Sequence, residues 1–179
     1  FRLLTYHLVQ KGKAFKRSTD LTLNAATGEV RVLSTGEDGK EITIKDRLKL
    51  PADVANGLVT TLLNDIDHKA PKTTVSMVAA TPKPRLVKLE ITPEGEDSFS
   101  VGGSSRKALR YRIKVDIGGI SGVIAPILGK QPPDTHVWMI GGKAPGFLKS
   151  EGPLYDGGPI WRIELASPAW PKGDAGQKR

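Results

Sequence analysis

The chain contains no cysteine. That excludes a disulfide scaffold, a thiol nucleophile and a cysteine zinc site. It also lacks a long hydrophobic run. The longest apolar stretch, 117–128, is broken by three glycines and Pro126, well short of the ~20 apolar residues that span a bilayer. No transmembrane segment is expected. Aromatics make up 6% of the residues, which is thin for a surface that stacks single-stranded bases, so nucleic acid is not expected as a partner. Histidine is scarce, and His7, His68 and His136 are far apart in the chain. None pairs with another at a spacing that makes a local metal motif, and no metal or cofactor is expected.

Motifs for nucleotide chemistry and nucleophilic catalysis are missing too. No Gly-x-Gly-x-x-Gly opens a helix, and Gly129-Lys130 lacks both the upstream glycine and the downstream hydroxyl of a phosphate loop. Gly119-Ile120-Ser121-Gly122-Val123 lacks the final glycine of a nucleophile elbow. The sequence starts at Phe1 rather than at methionine. A mature exported form or a trimmed chain starts this way, and a signal peptide or lipid-attachment cysteine would then lie upstream.

What is present is a basic, strand-rich chain. Its 179 residues carry a net charge of +8. The basic residues are spread along the chain, as on a solvated surface, although such a balance also favours anionic partners. Short apolar-alternating segments at 1–9, 17–25, 30–33 and 41–45 are separated by turn residues such as Thr27-Gly28 and Gly36-Glu37-Asp38-Gly39. Strands at roughly ten-residue spacing indicate an antiparallel sheet or barrel. Further strands are expected at 73–81, 85–92 and 98–101, with a turn at 93–97. The segment 108–117 alternates most strictly: Leu109, Tyr111, Ile113 and Val115 against Arg110, Arg112, Lys114 and Asp116. That pattern predicts one buried face and one solvated, positively charged face. The segment 118–130 is apolar but rich in glycine and fits neither period; it reads as a kinked strand or as a loop at a cavity mouth.

One helix is predicted, over 51–66. Pro51 suits a first helical position, and Asp53 in the first turn complements the helix dipole. Val54, Ala55, Leu58, Val59, Leu62, Leu63 and Ile66 recur at helical spacing. A single amphipathic helix among many strands buries its stripe most easily against a concave sheet. The expected fold is therefore mainly β, a curved antiparallel sheet or half-open β-barrel with one main helix packed on its concave face. One β-rich domain over 1–170 is expected, followed by a disordered tail at 171–179.

The stretch 136–165 organises the rest. It holds two of the three tryptophans and six of the twenty glycines, and reads as three antiparallel strands. Trp138, Phe147, Tyr155 and Trp161 crowd into it. Such a cluster forms either core or the lining of an apolar ligand cavity. Glu151, Asp156 and Glu164 are scattered carboxylates. A hydrolytic site near Glu151, Asp156 and His136 would need them to converge in a cleft.

The same stretch, with Val137-Trp138, Ala144-Pro145, Glu151-Gly152 and the closing segment 160–165, resembles a group of exported bacterial β-rich proteins classed as domains of unknown function. The segment L-P-A-D-V-A-N-G-L resembles the same group. In architecture, strands with a helix on a concave sheet are similar to the periplasmic carriers of outer-membrane lipoproteins, whose unclosed barrel takes acyl chains. The resemblance implies an exported, periplasmic or envelope-associated protein and carries over no catalytic residue. A non-catalytic protein that binds an apolar or lipid-like ligand follows as the first expectation, lined by Leu58, Val59, Leu62, Trp138, Ile140, Phe147 and Trp161. The alternative is a structural or interaction module that docks a cell-envelope protein partner and holds no small molecule.

Overall fold

The computed structural model describes residues 2–15, 17–80, 83–101, 104–116, 132–141, 146–155 and 157–165, with the backbone alone at 101 and 104. The elements run β1 (Thr5–Gln10), β2 (Ser18–Asn24), β3 (Glu29–Thr35), β4 (Glu41–Arg47), α1 (Val59–Leu62), β5 (Thr73–Ala79), β6 (Arg85–Val101), β7 (Ser104–Asp116), β8 (Thr135–Ile140), β9 (Gly146–Pro153) and β10 (Ile160–Glu164). They form two antiparallel sheets. The N-terminal sheet has the order β1-β2-β3-β4 and the C-terminal sheet the order β10-β9-β8-β7-β6-β5. Both are meanders. Among the described residues no strand of one sheet pairs with a strand of the other. The expected strand-rich antiparallel class holds, as two sheets.

Alternation builds the N-terminal sheet. Leu21, Leu23, Val30 and Val32 point to one face and are buried there with Leu3, Val54 and Val78. Their neighbours Thr22 and Arg31 point to solvent. The turn between β2 and β3 is set by Asn24, whose Oδ1 accepts the N–H groups of Ala26 at 3.0 Å and Thr27 at 3.2 Å. Gly28 follows at φ +74°, and its missing side chain leaves room for the Leu48 carbonyl, which a Cβ would strike.

The predicted 51–66 helix is corrected by the structure. Only Val59–Leu62 is α-helical. Residues 53–56 instead run along the outer edge of β5. The Ala55 N–H donates to the Ser76 carbonyl at 2.8 Å, and the Ser76 N–H donates to the Asp53 carbonyl at 3.2 Å. Asn56 extends this edge with its side chain: its Nδ2 donates to the Val78 carbonyl and its Oδ1 accepts the Val78 N–H, both at 2.8 Å. The amide thus occupies the ladder position of a further peptide unit and covers an otherwise bare strand edge. Gly57, at φ +70°, then turns the chain into α1. The apolar stripe that suggested a long helix is real, but it has two sources. Val54 and Ala55 are successive residues of an extended segment and bury opposite ways, Val54 into the N-terminal core and Ala55 into the C-terminal one.

The turn expected at 93–97 is also corrected. β6 runs straight through it, with Pro93 opposite Tyr111 and Gly95 opposite Arg110, so that Glu94 is the extra residue of a β-bulge. A bulge is where a strand tolerates proline, and Gly95 takes φ +106° there.

The core of the C-terminal sheet lies between one face of β5–β8 and the segment around α1. Leu89, Ile91, Tyr111, Ile113, Val137 and Met139 meet Ala55 and Leu63, with Leu58, Val59, Leu62, Ile66 and Phe147 packed around them. Leu58 touches the core of the N-terminal sheet as well. A further link joins the two sheets: Phe15 lies 4.6 Å from the Tyr155 ring, and the Tyr155 hydroxyl donates to the Ala14 carbonyl at 3.2 Å. The predicted segment 118–130, Ala144-Pro145, Asp156 and the tail 171–179 lie outside the described residues.

Candidate functional site

Cross-strand partners share a face of a sheet, so the register sorts the predicted site residues. On the inner face, towards α1, the rows are Ile91, Ile113, Thr135, Gly152 and Trp161, and beside it Tyr111, Val137, Ser150 and Ile163. Met139 and Phe147 are opposite each other in the next row. Gly152 is required where it stands, because a Cβ there would strike the Thr135 side chain. Of the seven residues predicted to line a cavity, Leu58, Val59, Leu62 and Phe147 pack against this inner-face core. Trp161 belongs to the same face by register. Trp138 and Ile140 do not join them: they pair with Arg110 and Ala108 and so stand on the outer face.

Burial along the inner face is uneven. Ile91 is 0% exposed and Val137 3%, whereas Trp161 is 48% and Ile163 44% exposed. The two rows are apolar on β6 and β7, carry Thr135, Gly152 and Ser150 on β8 and β9, and end on Trp161 and Ile163 of β10, where the cover is lost. Leu154, beyond β9, is exposed as well, and Ile160, which alternates with Trp161, is exposed on the outer face. Among the described residues β10 is the edge strand, paired with β9 alone.

The outer face carries a dense polar network. Arg110 meets Glu94 at 3.1 Å and Asp97 at 3.3 Å. Arg112 meets Glu94 at 3.4 Å and Asp134 at 3.8 Å. The bulge aims Glu94 at three partners, the third being His136 at 3.5 Å. The positive stripe of Arg110 and Arg112 is therefore neutralised from neighbouring strands. Trp138 is inserted into this network. Its Nε1 donates to Asp97 Oδ2 at 2.7 Å, and Lys149 Nζ lies 3.8 Å from the ring centroid. A charge-assisted hydrogen bond of this kind contributes about 1.5–3 kcal/mol, and a cation over an indole about 0.5–1 kcal/mol. A cavity of about 530 Å³ adjoins it, lined by Asp97, Phe99, Trp138, Lys149, Arg162 and Glu164 among others.

His136 and Glu151 are register partners on this outer face. Glu151 is engaged by Lys149 at 3.2 Å and Arg162 at 3.7 Å, and His136 faces Glu94. Asp156, the third residue of the hydrolytic expectation, lies outside the described residues. Among the described residues no group of three or more His, Cys, Asp or Glu is placed to hold a metal ion, and no helix is long and apolar enough to cross a membrane.

Asp97 and Ile163 were not singled out from the sequence. Asp97 is 41 residues from the indole it binds, and no local pattern announces that pairing. Ile163 had a usable signal, since it alternates with Trp161 and shares its face. No family model matches the chain, and neither the curated proteins nor the solved structures give a match.

Proposed function

We propose that the chain is a non-catalytic binding protein that takes an apolar, lipid-like ligand on the inner face of the C-terminal sheet, at its β10 end. The observation that carries this reading is the gradient of exposure along one face of the sheet, from Ile91 at 0% to Trp161 at 48%. Half-covered tryptophan and isoleucine side chains beside a packed core are a ready surface for an alkyl chain. Covering the rest of Trp161 alone is worth on the order of 2 kcal/mol. In this reading Phe147, Leu58 and the α1 residues Val59 and Leu62 form the covered end of the site, and Trp161 and Ile163 form its mouth. The resemblance of 136–165 to exported β-rich proteins supports an exported, envelope-associated protein.

The test is native mass spectrometry of the purified protein, organic extraction of any adduct, and titration with monolaurin, an uncharged amphiphile. A stoichiometric adduct or saturable monolaurin uptake is expected, and W161S/I163S should lose it. A bare mass together with no uptake of monolaurin removes the lipid reading. One observation favours a second reading in that event. All five residues of β10 are exposed, and an exposed edge strand can accept a strand from a protein partner.

A further inference from the structure

The outer face of the N-terminal sheet, away from both cores, holds a further cavity. It is a trough of about 860 Å³. One cross-strand row crosses it: His7 opposite Thr22, Thr22 opposite Arg31, and Arg31 opposite Lys45. Like charges directly opposite on one face of a sheet repel and are destabilising. Elsewhere on this face each cation has its acid. His7 Nε2 meets Asp20 at 3.0 Å, and Arg47 meets Glu29 at 2.7 Å. The side chains of Arg31 and Lys45 have no such partner among the described residues, neither hydrogen bond nor ion pair.

We propose that this trough is a binding site for a phosphate-bearing organic anion, held between Arg31 and Lys45. The guanidinium offers a planar fork of donors and the ammonium a compact charge, a pairing that suits a phosphate oxyanion. The neighbouring groups are also donors. The Thr22 hydroxyl lies between His7 and Arg31 in the row. Asn24 has its Oδ1 taken by the turn, which leaves its amide N–H groups for a ligand. The two carboxylates lining the trough are already engaged, Glu29 by Arg47 and Asp46 by the Arg47 backbone N–H at 2.8 Å. A bare phosphate would fill little of the space. Small-molecule sites span roughly 300–1,000 Å³, so the ligand carries an organic part as well. The site is independent of the apolar face proposed above, and either can fail alone.

The experiment uses the whole chain at low ionic strength, where exposed charges are least screened. Two probes distinguish a soluble phosphate from a lipid headgroup: inorganic pyrophosphate, followed by amide NMR shifts, and sedimentation with phosphatidylglycerol vesicles against phosphatidylcholine vesicles. Saturable shifts at residues 22, 31 and 45 are expected with pyrophosphate. R31Q and K45Q should each weaken binding at least fivefold and together abolish it, with unchanged circular dichroism, while the distant K69Q leaves it intact. Binding confined to phosphatidylglycerol vesicles, and lost in R31Q/K45Q, identifies the phosphate as a headgroup. No saturable response to either probe, or a response that survives R31Q/K45Q, overturns the proposal.

Discussion

Replacing Asn56 with alanine tests the edge device on which the middle of the chain depends. The side chain is 4% exposed and makes two hydrogen bonds of 2.8 Å to the backbone of a single residue, Val78. Alanine removes both bonds and leaves the Val78 N–H and carbonyl facing an apolar gap. Each buried group left unsatisfied costs about 1–3 kcal/mol, so the pair gives about 3–5 kcal/mol, allowing for some relaxation. In a chain of this size that lowers the melting temperature by roughly 10 °C. Urea denaturation followed by circular dichroism measures it, with an unchanged slope showing that the same surface unfolds. N64A is the control, because Asn64 is exposed and its side chain makes no such pair; it should shift stability by less than about 0.5 kcal/mol. A loss below about 1 kcal/mol in N56A would show that Asn56 does not hold β5, and the reasoning about residues 53–56 would have to be abandoned.

Two further outcomes are expected. W138F removes the donor to Asp97 together with the five-membered ring that carries it, so it should lose at least about 1.5–3 kcal/mol by denaturant titration, while W161F, which deletes the same atoms at a half-exposed position, should lose less than about 0.5 kcal/mol; equal losses would contradict the placement of the two indoles on opposite faces. Burial pushes the Tyr111 phenol above its ordinary 10.0, helped by the negative charge of Asp67, and burial raises Tyr6 as well. The unfolded chain therefore releases these protons first, so stability is fully present below about pH 10 and falls as pH rises towards the folded-state values. Y111F should flatten that alkaline loss in denaturation midpoints taken across the range, and an unchanged slope would remove Tyr111 as its source.

Much of the strand pattern was legible because one face of most strands is solvated. The segment 18–24 alternates Leu21 and Leu23 against Thr22 and Asn24, and 108–116 does the same with Tyr111 and Ile113 against Arg110 and Arg112. Where alternation failed, two physical causes are visible. In 53–56 the apolar residues serve two cores from an extended backbone, so adjacent Val54 and Ala55 mimic one helical stripe. In β8 the run Val137, Trp138, Met139 and Ile140 is buried on both faces. Period alone then cannot say which residues share a face, and Trp138 and Ile140 were grouped with Phe147 although the sheet separates them. Pro93 and Gly95 carry the chemistry of a turn, but a bulge needs the same residues, and the long pairing of β6 with β7 decides between them. The polar network around Trp138 was out of reach for another reason. It joins Asp97, Arg110 and Lys149 from three strands, and only register brings them together.

The apolar face is the central claim, and one titration addresses it directly. Amide and indole NMR shifts are recorded while monolaurin is added to the whole chain. Saturable shifts centred on the Trp161 indole and Ile163, extending to Phe147 and α1 and absent in W161S/I163S, are the predicted result. Shifts that never saturate, or that settle on the outer face around Trp138 while Trp161 and Ile163 stay still, would contradict it.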